Sequence, residues 1–240
     1  MSEVFSQKTT KAVVPITYST RCVEVDGVHT LEPSRLSLMT YDAACYVAST
    51  LGVSRLVIAG EQSYTHHDDT TGNVLDIHTP AIHRGLELTV LKNETNRLLN
   101  TPHQVDALAD EFSSDDSVVV VCWGFHERRL SQGFKHKNRL PAIDFVHTED
   151  VIDMLWDDMT VWGDLATRRH MFRDRYDLQV DWDIVRDRGL TSFEKRERVT
   201  RWAMKTGHSG WLLKLLTKAR GSGRYDDIDS FALPRMGSTH

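Results

Sequence analysis

His126 and Arg129 are the pair whose types and spacing best suit chemistry in this chain. They follow the valine run 118–121 in the stretch SVVVVCWGFHERRLSQGFK. A histidine and an arginine three residues apart at a helix start can face the same way. The helix N-terminus adds free N–H groups and positive potential. Together these suit an anion such as phosphate or carboxylate, with Arg129 as a bidentate donor. His126 could donate a hydrogen bond or act as a general acid/base near neutral pH. Asn100 and Thr101 open a second helix, NTPHQVDALADEF, where such residues cap the first turn and can also orient a ligand hydroxyl or phosphate. Glu61 and Glu94 follow two other strands, and carboxylates there can hold a ribose hydroxyl, a metal or a proton in transit. Arg35, in the first turn of the first helix, could close the anion site from the other side. The plainer reading of the same residues is helix capping, a surface ion pair and solvated loop carboxylates.

These residues need a scaffold that brings strand ends together. Residues 11–18 (KAVVPITY) form a plausible first strand, which Pro15 moves toward an edge or a strand end. Ser34 can cap a helix with Leu36, Met39, Ala43, Val47 and Leu51 at helical spacing, and Gly52 stops it. Strands follow at 54–59 and 86–91, separated by a polar loop and a weaker helix at 74–84. Residues 117–123 read as a central parallel strand covered on both faces. A helix from about 127 to 137 and a fifth strand, PAIDFVH, complete a β–α alternation. That alternation predicts an α/β fold: a Rossmann-like three-layer sandwich with a mostly parallel sheet of about five strands. In such sheets ligands sit outside the carboxyl ends of the strands.

From about residue 150 the character changes. Strand signal fades, and five of the six tryptophans lie beyond residue 149. Residues 150–170 and 192–220 read as helices, and the last stretch as a loose tail. The chain therefore divides into an α/β domain at 1–149 and a helical extension at 150–240 packed on it.

Composition narrows the function classes. With 240 residues the chain needs no disulfide or metal staples for a core, and its 40% apolar and 26% charged residues are ordinary for a globular protein. A net charge of −5 argues against wholesale nucleic-acid binding. Cys22, Cys45 and Cys122 are far apart and read as buried thiols of a reducing compartment. No secretory signal and no run near the ~20 apolar residues of a membrane span is present, so the expectation is a cytoplasmic protein. The His66-His67-Asp68-Asp69 cluster tempts a metal reading, but adjacent side chains diverge and no H-E-x-x-H or C-x-x-C spacing occurs. No metal is expected there, only a polar loop over the cleft. Residues 192–224 carry nine Lys/Arg against two Glu, with Phe193, Trp202 and Trp211 interleaved. Nucleic-acid contact there is weighed against an amphipathic helix with a solvated basic face, and the latter is preferred.

The motifs LLNTPHQVDAL and VVVVCWGFHERRLSQGF together resemble the YdcF/SanA/ElyC-like family of bacterial domains. There an Asn-Thr helix start precedes a strand ending in a His-x-x-Arg step. Arg35-Leu36, LVIAG at 56–60 and Glu94 match further features, so the resemblance covers roughly residues 10–148. It implies a Rossmann-like fold with a ligand cleft at the strand ends, where Gly60 would let a ligand approach the backbone. It also implies a nucleotide or S-adenosylmethionine as the class of ligand. The chain departs from the family in carrying Glu61 where a second glycine follows, in lacking the envelope members' anchor, and in its segment after residue 150. The expectation is a small anionic ligand held by Arg35, Gly60, Glu94, Asn100, Thr101 and Arg129, with His126 and Glu61 as the acid/base pair if a reaction follows. Phosphoester or anhydride hydrolysis, or group transfer, is the chemistry this implies. The alternative is a non-catalytic module for an S-adenosylmethionine-type ligand or a protein partner.

Overall fold

The computed structural model describes residues 9–16, 20–25, 28–59, 85–91, 101–135, 137, 141–157 and 165–191, with Glu194, Lys195, Arg198 and Trp202. The expected helix at 74–84, the 61–73 loop with its His-His-Asp-Asp cluster, and the tail lie outside them. Apart from those four residues, so does the basic segment 192–224.

Five parallel strands form one sheet: β1 (Ala12–Pro15), β4 (Arg55–Ala59), β5 (Glu87–Leu91), β6 (Ser117–Cys122) and β7 (Ala142–His147). Their order is β5-β4-β1-β6-β7, so the chain builds outward from β1 in one direction and then in the other. β1 pairs with β6 from Ala12↔Val118 to Pro15↔Val121, and with β4 at Val13↔Leu56. All six residues of β6 are buried, as the valine run requires of a strand covered on both faces. The edge strands β5 and β7 are mostly half-exposed.

Pro15 lies at the end of its strand, one of the two places expected for it, although β1 is central in the sheet. It is tolerated because it is the last residue of β1, where its missing N–H breaks little of the ladder. Pairing resumes at once, with Ile16 N–H donating to Val121 O at 2.9 Å and bridging to Ala59.

Helices α1 (Arg35–Leu51), α2 (Thr101–Glu111) and α3 (Gly124–Lys135) connect these strands. Right-handed crossovers that move in opposite directions across a sheet put their helices on opposite faces. The α1 crossover moves from β1 toward β4, while α2 and α3 lead back across β6 to β7. The packing agrees. Val105, Leu108, Leu130 and Phe134 of α2 and α3 share one core with Ala12, Val14, Val57, Val118 and Val120. The alternate residues Val13, Leu56, Ile58, Val119 and Val121 are buried on the other face. Gly133 lets α2 and α3 approach closely, since a Cβ there would lie 3.1 Å from Val105 Cγ2.

α1 starts where its cap was read, with Ser37 N–H donating to Ser34 Oγ at 3.2 Å. It ends at Gly52, whose φ of +66° suits glycine. α3 starts at Gly124, three residues before the expected start.

The sheet belongs to one compact unit, Met1–Thr17 with Thr40–Val151. A second unit comprises Tyr18–Met39 with Ile152–His240. Its described elements include an antiparallel pair, β2 (Thr20–Val25) and β3 (Val28–Pro33), in register from Thr20↔Pro33 to Val25↔Val28. The sequence reading missed this pair, although Asp26-Gly27 between two six-residue runs is a strong hairpin signal. The C-terminal helices are α4 (Thr148–Asp157), α5 (Leu165–Tyr176) and a short α6 (Trp182–Ile184) that runs into π-helical turns at Val185–Leu190. Phe172 packs edge-on against Trp156 at 4.9 Å and Tyr176 at 5.0 Å. Among the described residues no helix is long and apolar enough to cross a membrane.

Leu130 is fully buried and Leu51 is half exposed. In urea denaturation Leu130→Ala lowers stability by about 2–5 kcal/mol, whereas Leu51→Ala stays within about 0.5 kcal/mol. Equal losses would contradict this placement of the core.

Candidate functional site

The carboxyl ends of β4, β1, β6 and β7 lie along one rim of the parallel sheet, and the order reverses between β1 and β6. That reversal is the topological switch point where ligands gather in open α/β sheets. Thr101, the first residue of α2, and His126, in the first turn of α3, meet at this rim. Thr101 Oγ1 and His126 Nε2 are 3.1 Å apart, and both residues are buried. Gln104, one turn into α2, donates from Nε2 to Ala59 O at 3.1 Å, tying the helix to the end of β4. Two segments read separately in sequence thus converge through side-chain hydrogen bonds.

His126 is 2% exposed. Burial, helped by the nearby Arg129 guanidinium, holds its pKa well below 6.5. The ring is therefore neutral at pH 7, suited to hydrogen bonding with the Thr101 hydroxyl and poorly suited to carrying a proton. The expected arrangement of free N–H groups at the α3 N-terminus needs correction. Gly124 N–H donates to the Glu149 carboxylate at 2.9 and 3.2 Å. His126 N–H and Glu127 N–H both donate to Trp123 O. The protein's own carboxylate, from the first turn of α4, already occupies the positive end of α3. Stacking of Trp123 on Phe125, with centroids 5.9 Å apart, fixes the turn between β6 and α3.

On the other side of that first turn lies a cluster the sequence reading did not single out. His147, the last residue of β7, places Nε2 2.6 Å from Glu127 Oε2. Its Nδ1 lies 3.7 Å from Asp150 Oδ2. The ring packs over Gly124: a Cβ there would lie 3.5 Å from His147 Cε1 and Nδ1, and only 2.5 Å from Glu149 Oε1. Burial disfavours the imidazolium, but the Glu127 hydrogen bond and the charges of Glu149, Glu127 and Asp150 outweigh it and raise the pKa above 6.5. Burial also raises Glu149, against the hydrogen bond from Gly124. Cys122, at the end of β6, is pushed up by burial and by Glu149 and Glu127, so its thiol stays neutral. The rule that flagged His126 would have flagged this cluster too, because His147 ends the strand PAIDFVH and Thr148-Glu149 follow it directly.

Of the residues expected at the site, the structure brings Thr101, His126 and Arg129 together. Arg35 belongs to the second unit, where its Nη2 donates to Asp177 Oδ2 at 2.9 Å. Asp177 adopts φ of 50° just past the end of α5. Gly60, Glu61, Glu94 and Asn100 lie outside the described residues. Cys45 and Cys122 are buried thiols outside any disulfide; the side chain of Cys22 lies outside the described residues. Among the described residues, no group of three or more His, Cys, Asp and Glu side chains is placed to hold a metal ion. Comparison with protein-family models, curated proteins and solved structures found no match.

The two histidines give stability opposite slopes with pH. The folded pKa of His126 lies below its unfolded value of about 6.5, so its contribution is full above that pH and is lost on acidification. The folded pKa of His147 lies above 6.5, so its contribution is full below that pH and is lost as pH rises through the folded value. Urea denaturation across pH checks both. Glu127→Gln flattens the alkaline loss, and His126→Asn flattens the acid one. An alkaline slope unchanged in Glu127→Gln would contradict the coupling.

Proposed function

We propose that this chain is a cytoplasmic YdcF-like α/β protein that binds a small anionic ligand, nucleotide-like or phosphorylated, at the carboxyl ends of its strands. The observation that carries the reading is the buried Thr101–His126 hydrogen bond, which joins the N-termini of two helices beside the Arg129 charge. The strand reversal between β1 and β6 supports the same rim by the general rule for open α/β sheets. In this reading Arg129 holds negative charge, and Thr101, with Asn100 before it, orients the ligand. His126 fixes the Thr101 hydroxyl as a neutral partner. Glu149 already caps α3, so the seat lies on the α2 side of the rim. Arg35 is engaged by Asp177 and is left out of the contact set. The resemblance to the YdcF-like domains adds nucleotides and S-adenosylmethionine to the ligand classes worth testing. Phosphoester or anhydride hydrolysis, or group transfer, is the chemistry such a seat serves. A non-catalytic binding module is the second reading, favoured by the neutrality of His126.

Thermal unfolding with nucleotides, S-adenosylmethionine, sugar phosphates and inorganic phosphate, alongside a phosphatase screen, tests both. A true ligand at a hundred times its Kd adds about 2.7 kcal/mol of stability. Arg129→Ala weakens its binding by about tenfold or more, as loss of a charged hydrogen bond predicts. Absence of any shift across the panel would overturn the anion reading, and a shift without turnover would select the binding module.

A further inference from the structure

We propose that Gln104 is a positioning residue of the anion seat, holding the first turn of α2 as a bridge across the end of β1. This rests on the anion-seat reading above and adds what fixes the geometry of that seat. Thr101 and Gln104 stand three residues apart and so share one face of α2. That face is the buried one, and it continues as Val105 and Leu108. Its two polar members lie in the first turn, and each is tied to a different element. Thr101 Oγ1 is 3.1 Å from His126 Nε2 on α3. Gln104 Nε2 donates to the carbonyl oxygen of Ala59, the last residue of β4, at 3.1 Å.

The sheet order gives these two ties their meaning. β1 lies between β4 and β6, and α3 follows β6 in the chain. The first turn of α2 is therefore anchored on both sides of β1. Between the anchors β1 ends at Pro15, and Ile16 bridges to Ala59 and donates its N–H to Val121 O. The strand ends that carry the anchors are thus paired through Ile16, which fixes the distance between them.

Gln104 is 6% exposed, and a buried amide costs free energy unless it is hydrogen-bonded. A methionine would fill the same space without that requirement. What the amide adds is direction. One tie at Thr101 leaves the turn free to pivot about that contact, and the second tie removes the pivot. A hydroxyl that orients a ligand has to be held to within about 0.5 Å, and two ties on opposite sides of a strand supply that constraint. An amide that merely satisfied the Ala59 carbonyl would affect stability and leave binding by the folded protein alone.

Calorimetric titration of the full chain with inorganic phosphate separates these roles, with the folding of each variant checked by urea denaturation. Gln104→Met keeps the side-chain length and removes the donor. Its phosphate affinity falls about tenfold, the lower end for losing a group that orients a ligating residue. Gln104→Asn, whose amide is one methylene too short for the same reach, loses affinity likewise. Leu108→Ala, one turn farther along the same face, weakens the core but leaves phosphate affinity unchanged. The His126 imidazole nitrogens, followed by NMR, shift in Gln104→Met and stay in place in Leu108→Ala. Wild-type affinity in the two Gln104 variants, equal losses in them and in Leu108→Ala, or unmoved His126 signals in Gln104→Met overturn the proposal. A wild-type chain that binds no phosphate removes the seat and this role together. A wild-type chain that binds phosphate, with undiminished binding in the Gln104 variants, removes the role of Gln104 and leaves the seat standing.

Discussion

The Glu149 carboxylate on the Gly124 N–H is the interaction that organises this rim. It caps α3 from 25 residues downstream and so decides where that helix begins. With the start at Gly124, His126 falls in the first turn and is carried inward to Thr101. Glu127 follows on an adjacent face, about 100° round the helix, and meets His147. A start three residues later would leave His126 outside the helix and put Glu127 at its first position. The cap also needs the absence of a side chain at Gly124, since a Cβ would lie 2.5 Å from the carboxylate oxygen.

One turn of helix thus presents two histidines in opposite electrostatic settings. The inner one is buried beside Arg129 and is kept neutral. The outer one sits among three carboxylates at a half-exposed position, and they favour its imidazolium more than water does for a free histidine. The same residue type is therefore shifted toward the neutral ring in one place and toward the imidazolium in the other. This division follows from burial and neighbouring charge, and it concentrates the chemical potential of the chain at the carboxyl ends of β6 and β7.

Much of the architecture was legible in the residues. The valine run of β6, the Ser34 cap and Gly52 stop of α1, and the Asn-Thr-Pro opening of α2 are local signals. Each produced its element nearly where expected. The five-stranded parallel sheet followed from the alternation of those elements. What was not legible is what sequence neighbours cannot report. The start of α3 depends on a carboxylate in α4. The burial of His126 depends on Thr101, 25 residues upstream. The engagement of Arg35 depends on Asp177, 142 residues downstream. The β2–β3 pair is a different case, because its Asp-Gly signal was present and was passed over. Pro15 satisfies its positional rule through the strand end, since it is the last residue of a central strand.

The contrast between the two histidines is most directly measured by NMR titration of the imidazole nitrogens in the full chain. The account predicts that His126 remains a neutral ring, with a single tautomer set by Thr101, down to a pH well below 6.5. It predicts that His147 stays an imidazolium above pH 6.5 and loses that advantage in Glu127→Gln. Two histidines that titrate together near 6.5 would contradict it.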